Sequence, residues 1–137
     1  MCRLLIENKN NNFFISIILN ISMVSYEDFS AMDLRVGLVK TAESVPKSRN
    51  LLKLSIDLGE PAPRQIVAGI SNQYSPEEMI GRKVIVLANL APRKLMGIES
   101  QGMLLAADVD NKAILLKVDD KFFENVAPGT EIGRAHV

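Results

Sequence analysis

The stretch "LAPRKLMGIESQGMLLAAD", residues 90–108, sets the problem that the fold has to solve. Two apolar runs flank a short insert that carries Arg93, Lys94, Gly97, Ser100, Gly102 and the methionines Met96 and Met103. A loop that only joined two strands would not need this mixture. Glycines at 97 and 102 let the backbone take positive φ or approach another backbone closely. Arg93 and Lys94 meet no acid before Glu99, so their charge is available to an anion. The insert reads as a display segment between two strands.

The neighbouring sequence supports strands on both sides. Upstream, "KVIVLANL" (83–90) is nearly all apolar, the pattern of a strand covered on both faces. Downstream, "GMLLAAD" (102–108) reads as the next strand, and "AILLKV" (113–118) as a short one reached through a turn at Asp110–Asn111. Earlier in the chain, "LLKLSIDL" (51–58) alternates, with Leu52, Leu54, Ile56 and Leu58 on one face and Lys53, Ser55 and Asp57 on the other. "GEPAP" (59–63) is a turn and "RQIVAGI" (64–70) a strand. Leu34 to Val45 is the first strand, with Gly37 as a bulge or bend.

Helical signals are few. Ser75-Pro76-Glu77-Glu78 is a helix start, with a serine cap, proline at the first position and acids in the first turn, and room for one or two turns before Gly81. Tyr26 to Met32 resembles a short helical lead-in. The expectation is an all-β fold: a five-stranded OB-fold barrel with one short helix between the third and fourth strands and extra C-terminal strand elements. Barrels of this order bind nucleic acids on one strand face and its loops.

A length of 137 residues, 47% hydrophobic and 23% charged, suits one globular domain. Sixteen Lys and Arg balance sixteen Asp and Glu, so net charge names no partner, but the charge is unevenly placed. Between Ala62 and Ala107 five cations (Arg64, Arg82, Lys83, Arg93, Lys94) face three acids (Glu77, Glu78, Glu99). Between Asp108 and Glu131 six acids face three lysines. A neutral protein with this distribution can still carry a basic face. The lone cysteine, Cys2, allows no internal disulfide and fits a reducing, cytoplasmic setting. With that cysteine and one histidine, His136, a Cys/His zinc site is excluded, and no cofactor is expected. No nucleophile–base pair is present apart from what that tail histidine could supply, so no enzyme is expected.

Residues 1–25 read as an extension ahead of a domain at 26–137. The apolar run from Phe13 to Ile21 is broken by Ser16 and Asn20 and is too short for a bilayer, which needs about 20 apolar residues. A secretory signal is opposed by Glu7 and by the lack of an Ala-x-Ala-like site. Two readings stay open: an extension or upstream start, with Met23 as the first residue of the domain, or an added strand or partner-binding segment.

"DFSAMDLRVGLV", "LLKLSIDLG", "QIVAGI", "VLANLAPRKLMGIESQGMLLAA" and "PGTEIG" together resemble the stand-alone tRNA-binding protein family, which is related to the C-terminal domain of bacterial methionyl-tRNA synthetases and to the endothelial monocyte-activating polypeptide module. The resemblance covers about Tyr26 to Gly133. It implies an OB-fold module, usually a homodimer, that binds tRNA by shape and performs no chemistry of its own. By position it implies RNA contacts at Lys47, Arg49 and Asn50 in the loop before the second strand, and at Arg93, Lys94, Ser100 and Met103. Ser100 would donate to a phosphate or a 2′-OH, and Met103 would lie against a base or sugar. Members of the family commonly carry lysine where this chain has Asn50, which removes one charge and predicts a salt slope smaller by roughly 0.7–0.9. Lys53, on the polar face of its strand, is left without an assigned role.

Two functions from different classes follow from the resemblance. One is a tRNA-binding module, alone or in trans to a methionyl-tRNA synthetase, where it raises the effective concentration of tRNA. The other is an export-related chaperone of the same fold that binds unfolded peptide in an apolar groove. The retained "PRKLMGIESQGM" favours the first.

Overall fold

The computed structural model describes residues 22–135. The readings made for residues 1–21 and for His136 lie outside the described residues. The chain divides into two compact units, Met1–Ala31 and Met32–Val137. The first contains helix α1 (Tyr26–Ser30), the lead-in expected from the sequence. Ser25 caps it: the Asp28 N–H donates to the Ser25 hydroxyl at 3.0 Å, and the Ser25 N–H donates back to the Asp28 carboxylate at 3.2 Å.

The second unit is a small antiparallel barrel. Strands β1 (Leu34–Ser44), β2 (Leu52–Asp57), β3 (Arg64–Ala68), β4 (Lys83–Leu87) and β7 (Met103–Leu104) form one sheet in the order β3-β2-β1-β4-β7. The alternation of β2 is realised in full: Leu52, Leu54, Ile56 and Leu58 are buried, while Lys53, Ser55 and Asp57 are half-exposed. Val84, Ile85 and Val86 of β4 are all buried, as their unbroken apolar run requires. Helix α2 (Pro76–Met79) begins at the Ser75 cap and delivers Met79 wholly into the core among Val39, Ile56, Val84 and their neighbours. Burial of such a side chain contributes about 1.5–3 kcal/mol.

β1 serves two partners. Its first half pairs with β4 and its second half with β2, and the register shifts between Val39 and Thr41. The bend expected at Gly37 therefore lies at Lys40. Gly37 has another duty: a Cβ there would come within 2.5 Å of the Ile56 side chain, so glycine lets β1 lie tight on the core. Beside the first half of β1 runs the "PGTEIG" segment. The Val36 N–H donates to the Thr130 carbonyl at 2.9 Å, and the Ile132 N–H to the Leu34 carbonyl at 2.8 Å.

Two features of residues 90–118 differ from the expectation. The display segment is itself a hairpin, β5 (Arg93–Leu95) and β6 (Ile98–Ser100), turned by Met96 and Gly97 at φ 51° and 79°. Both central residues at positive φ match the twist of a two-residue hairpin. The single strand expected over 102–108 is divided at Leu105. β7 stays with β4, while β8 (Ala106–Val109) leaves to pair with β9 (Lys112–Leu115) through the expected Asp110–Asn111 turn. Leu105 is the shared hinge, donating to the Ile85 carbonyl at 2.9 Å and accepting from Leu116 at 3.3 Å.

The barrel closes between β3 and residues 99–102, largely through side chains. The Val67 N–H donates to the Ser100 hydroxyl at 3.0 Å, the Gln101 N–H to the Gln65 carbonyl at 2.9 Å, and the Gln65 amide to the Glu99 carbonyl at 2.8 Å.

Candidate functional site

The cations divide sharply by what their side chains touch. Arg35 forks onto Asp33 at 2.7 and 2.9 Å and reaches Glu60 at 3.3 Å. Arg64 forks onto Glu60 at 2.8 and 3.0 Å and donates to the carbonyls of Ala88 and Gln101. This cluster ties the start of β1, the β2–β3 turn, the end of β4 and Gln101 together. Hydrogen bonds from Arg35 hold the Asp33 carboxyl below its ordinary range, and those from Arg64 do the same for Glu60. Lys53, which the sequence left without a role, pairs with Glu43 at 3.5 Å, and Lys117 pairs with Asp120 at 2.9 Å. Arg82 lies over the Tyr74 ring, Lys121 over Phe122, and Lys83 over Phe123, whose carbonyl it also meets.

Arg134 is not without a partner either, and Lys40, Lys47, Arg49, Arg93, Lys94 and Lys112 remain. Among the described residues their side chains form no ion pair, hydrogen bond or ring contact. Four of these six fall in the two segments singled out from the sequence. Lys40 and Lys112 were missed, because an isolated lysine on a strand carries no pattern that marks it as unpaired.

The two basic segments flank one end of β3. Lys47 turns the β1–β2 loop at φ 68°, and the loop is braced by Ser48, which donates to the Val45 carbonyl at 3.0 Å and accepts from the Leu51 N–H at 3.2 Å. Lys47 and Arg49 are exposed. The Asn50 carbonyl accepts from Ser71 at 3.0 Å, and its side-chain amide sits 3.1 Å from where a Cβ of Gly69 would be. Gly69 in turn walls a cleft of about 230 Å³ that also takes in Arg93, Leu95 and Met103.

Strand alternation sorts the hairpin residues. Arg93 and Leu95 face the cleft. Lys94 lies on the other face, opposite Glu99, whose carboxylate accepts from the Gln101 amide at 3.3 Å. Met103 is 43% exposed at the cleft, a rim position rather than a core one.

Ser100 departs from the expectation of an outward donor. It is 6% exposed, accepts from Val67 and donates to the Gly102 carbonyl at 3.1 Å. Its hydroxyl thus bridges β3 and its own segment from a buried position in the cleft wall. Gly102 beside it lies close to β4, where a Cβ would stand 3.1 Å from the Leu87 carbonyl. Leu90 and Leu95 of the cleft were missed, since an apolar residue in a loop looks the same whether it faces core or cleft. No group of three or more His, Cys, Asp or Glu side chains is placed to hold a metal among the described residues. No helix among them is long and apolar enough to cross a membrane.

A family model described as "Putative tRNA binding domain" matches residues 34–128. The methionine–tRNA ligase of Archaeoglobus fulgidus is 51% identical over 109 residues, which cover 80% of this chain and 16% of that one. The chain thus spans about one sixth of the length of that curated relative. A methionyl-tRNA synthetase-related protein from Pyrococcus horikoshii superposes with a TM-score of 0.72 at 38% identity, over 81% of this chain and 98% of that one. The chaperone CsaA of Bacillus anthracis superposes with a TM-score of 0.71 at 31% identity, over 82% and 100%.

Proposed function

The chain belongs to the tRNA-binding domain family, and we propose that it is a non-catalytic module that grips tRNA by its backbone and shape. The carrying observation is that four of the six unpartnered cations stand in two segments that flank one end of β3. Lys47, Arg49, Arg93 and Lys94 neutralise phosphates, and counterion release supplies the binding free energy. Asn50 hydrogen-bonds without adding charge, and Met103 lies against a base or sugar. Ser100 serves the site by holding β6 to β3. The module acts in the cytoplasm, alone or in trans to a methionyl-tRNA synthetase. It works as a homodimer, which doubles the number of basic segments offered to one L-shaped RNA. Sedimentation at micromolar protein tests the dimer, and a monomer alone would refute it.

The test of binding is a titration against bulk tRNA at several salt concentrations. Tight, salt-sensitive binding is expected. In Arg93→Ala/Lys94→Ala the slope of log affinity against log salt falls by roughly 0.7–0.9 per lost phosphate contact. Absence of tRNA binding at low salt would defeat the proposal.

A second reading, an export-related chaperone for unfolded peptide, is favoured by the similarity to CsaA and by the apolar lining of the cleft. It leaves the unpartnered cations without a task, and the tRNA reading ranks above it.

A further inference from the structure

The cleft beside the basic segments has a composition that phosphate binding does not explain. Its floor is aliphatic, made by Ile70, Leu104 and Leu115, and its rim carries Leu90 and Met103 at 41% and 43% exposure. Along β3 it takes in Val67, Ala68 and Gly69, the last of which has only main chain to offer. The ladder with β2 ends at the pair Leu52↔Ala68, and Gly69 follows with the Asn50 amide filling the place of a side chain. Arg93 is the one charged residue in the lining. The site is thus apolar on its broad surfaces, has peptide groups at its edge and holds a cation at its mouth.

We infer that this cleft receives one unpaired nucleobase of the bound tRNA, a reading that rests on the function proposed above. A base has apolar faces, a hydrogen-bonding edge and an attached phosphate. Those three features correspond in order to the aliphatic walls, the main chain at Gly69 and Arg93. Charge complementarity selects RNA over a peptide, because Arg93 is unpaired and Lys47, Arg49 and Asn50 occupy the loop beside the same wall. None of the lining residues is aromatic, so the base is held between methionine and leucine side chains instead of stacking on a ring. A base seated in this way fixes the register of the RNA on a surface whose phosphate contacts alone would let it slide.

The test fills the cleft from its exposed edge with Ala106→Leu and, independently, Ala91→Leu. Both positions are exposed, so neither substitution overfills the core. Each variant, checked for unchanged thermal unfolding, is titrated with bulk tRNA across salt concentrations and probed for chemical modification of unpaired bases. The expected result is an affinity loss of about tenfold with an unaltered salt slope, because a base contact is lost and no phosphate contact is. One base protected in the complex of the unaltered protein becomes reactive with the variants. Binding of tRNA by both variants as tight as that of the unaltered protein would overturn the inference and leave the proposed function standing. Failure of the unaltered protein itself to bind tRNA would overturn both. Reduced, carboxymethylated lactalbumin serves as an unfolded-protein probe. If filling abolishes its binding while tRNA affinity is kept, the cleft is a peptide groove and the inference falls.

Discussion

Arg64 and Arg93 are the same residue type, 29 positions apart, the first at the start of β3 and the second in the cleft beside its far end. Arg64 spends its donors on Glu60 and on the carbonyls of Ala88 and Gln101. Arg93 spends none of its donors on the protein among the described residues. The first holds the fold together, and the second stands at the cleft with its charge unspent. Identity of residue therefore says little about role, whereas the presence or absence of a carboxylate within reach says much. Glu60 stands four residues before Arg64, but the nearest acid to Arg93 in sequence, Glu99, lies across the hairpin from Lys94.

The comparison breaks most visibly at the clamp. Arg64→Ala leaves the Glu60 carboxylate to Arg35 alone and takes the guanidinium donor from two carbonyls, and should destabilise the protein by about 2–3 kcal/mol in urea unfolding. Once corrected for the folded fraction, tRNA affinity should hold. Ser100→Ala comes next. It leaves the buried Val67 N–H without an acceptor, which costs about 1–3 kcal/mol. If Ser100 were instead an RNA contact, the substitution would lower affinity and leave the unfolding midpoint where it was.

Acid provides a third lever. Asp33 and Glu60 both have folded-state pKa values depressed by their arginine partners. The stability they contribute is present in full above the ordinary carboxylate pKa of about 4 and is lost as pH falls through the lower folded values. Thermal unfolding followed from pH 6 to pH 2 should show this loss, and Asp33→Asn should flatten it. The smallest effect belongs to the rim. Arg93→Ala/Lys94→Ala should leave stability within about 0.5 kcal/mol, since neither side chain has a partner to lose. A larger shift in the urea midpoint would erase the distinction between the two classes of cation.

Local pattern made much of the barrel legible. The alternation of residues 51–58, the capped start at Ser75 and the apolar run at 83–87 each describe one element and its burial. The misreadings arise where a distant partner decides. Met96–Gly97 is a hairpin turn without the Asn-Gly or Asp-Gly signature, so β5 and β6 looked like a loop. "GMLLAAD" has the composition of one strand, and only β4 on one side and β9 on the other divide it. The bend assigned to Gly37 belongs to Lys40, where the register of β1 against β2 shifts. At the site, sequence gave the exposed positions of Lys47, Arg49, Arg93 and Lys94, but a serine hydroxyl suits a buried bridge as well as a surface contact. That Ser100 faces Val67 was invisible until residues 33 positions apart were brought together.

The lap of residues 129–132 against β1 carries a kinetic consequence. The hydrogen bond between Val36 and Thr130 joins residues 94 positions apart, and β1 can be covered along that edge only after nearly the whole unit has been gathered. Contacts this remote in sequence make loop closure expensive before any reward is received, and place the unit among slow folders on the millisecond-to-second scale. Until that last strip docks, the backbone of Leu34 and Val36 is an open sheet edge, and the nascent barrel is at its most vulnerable to pairing with another chain.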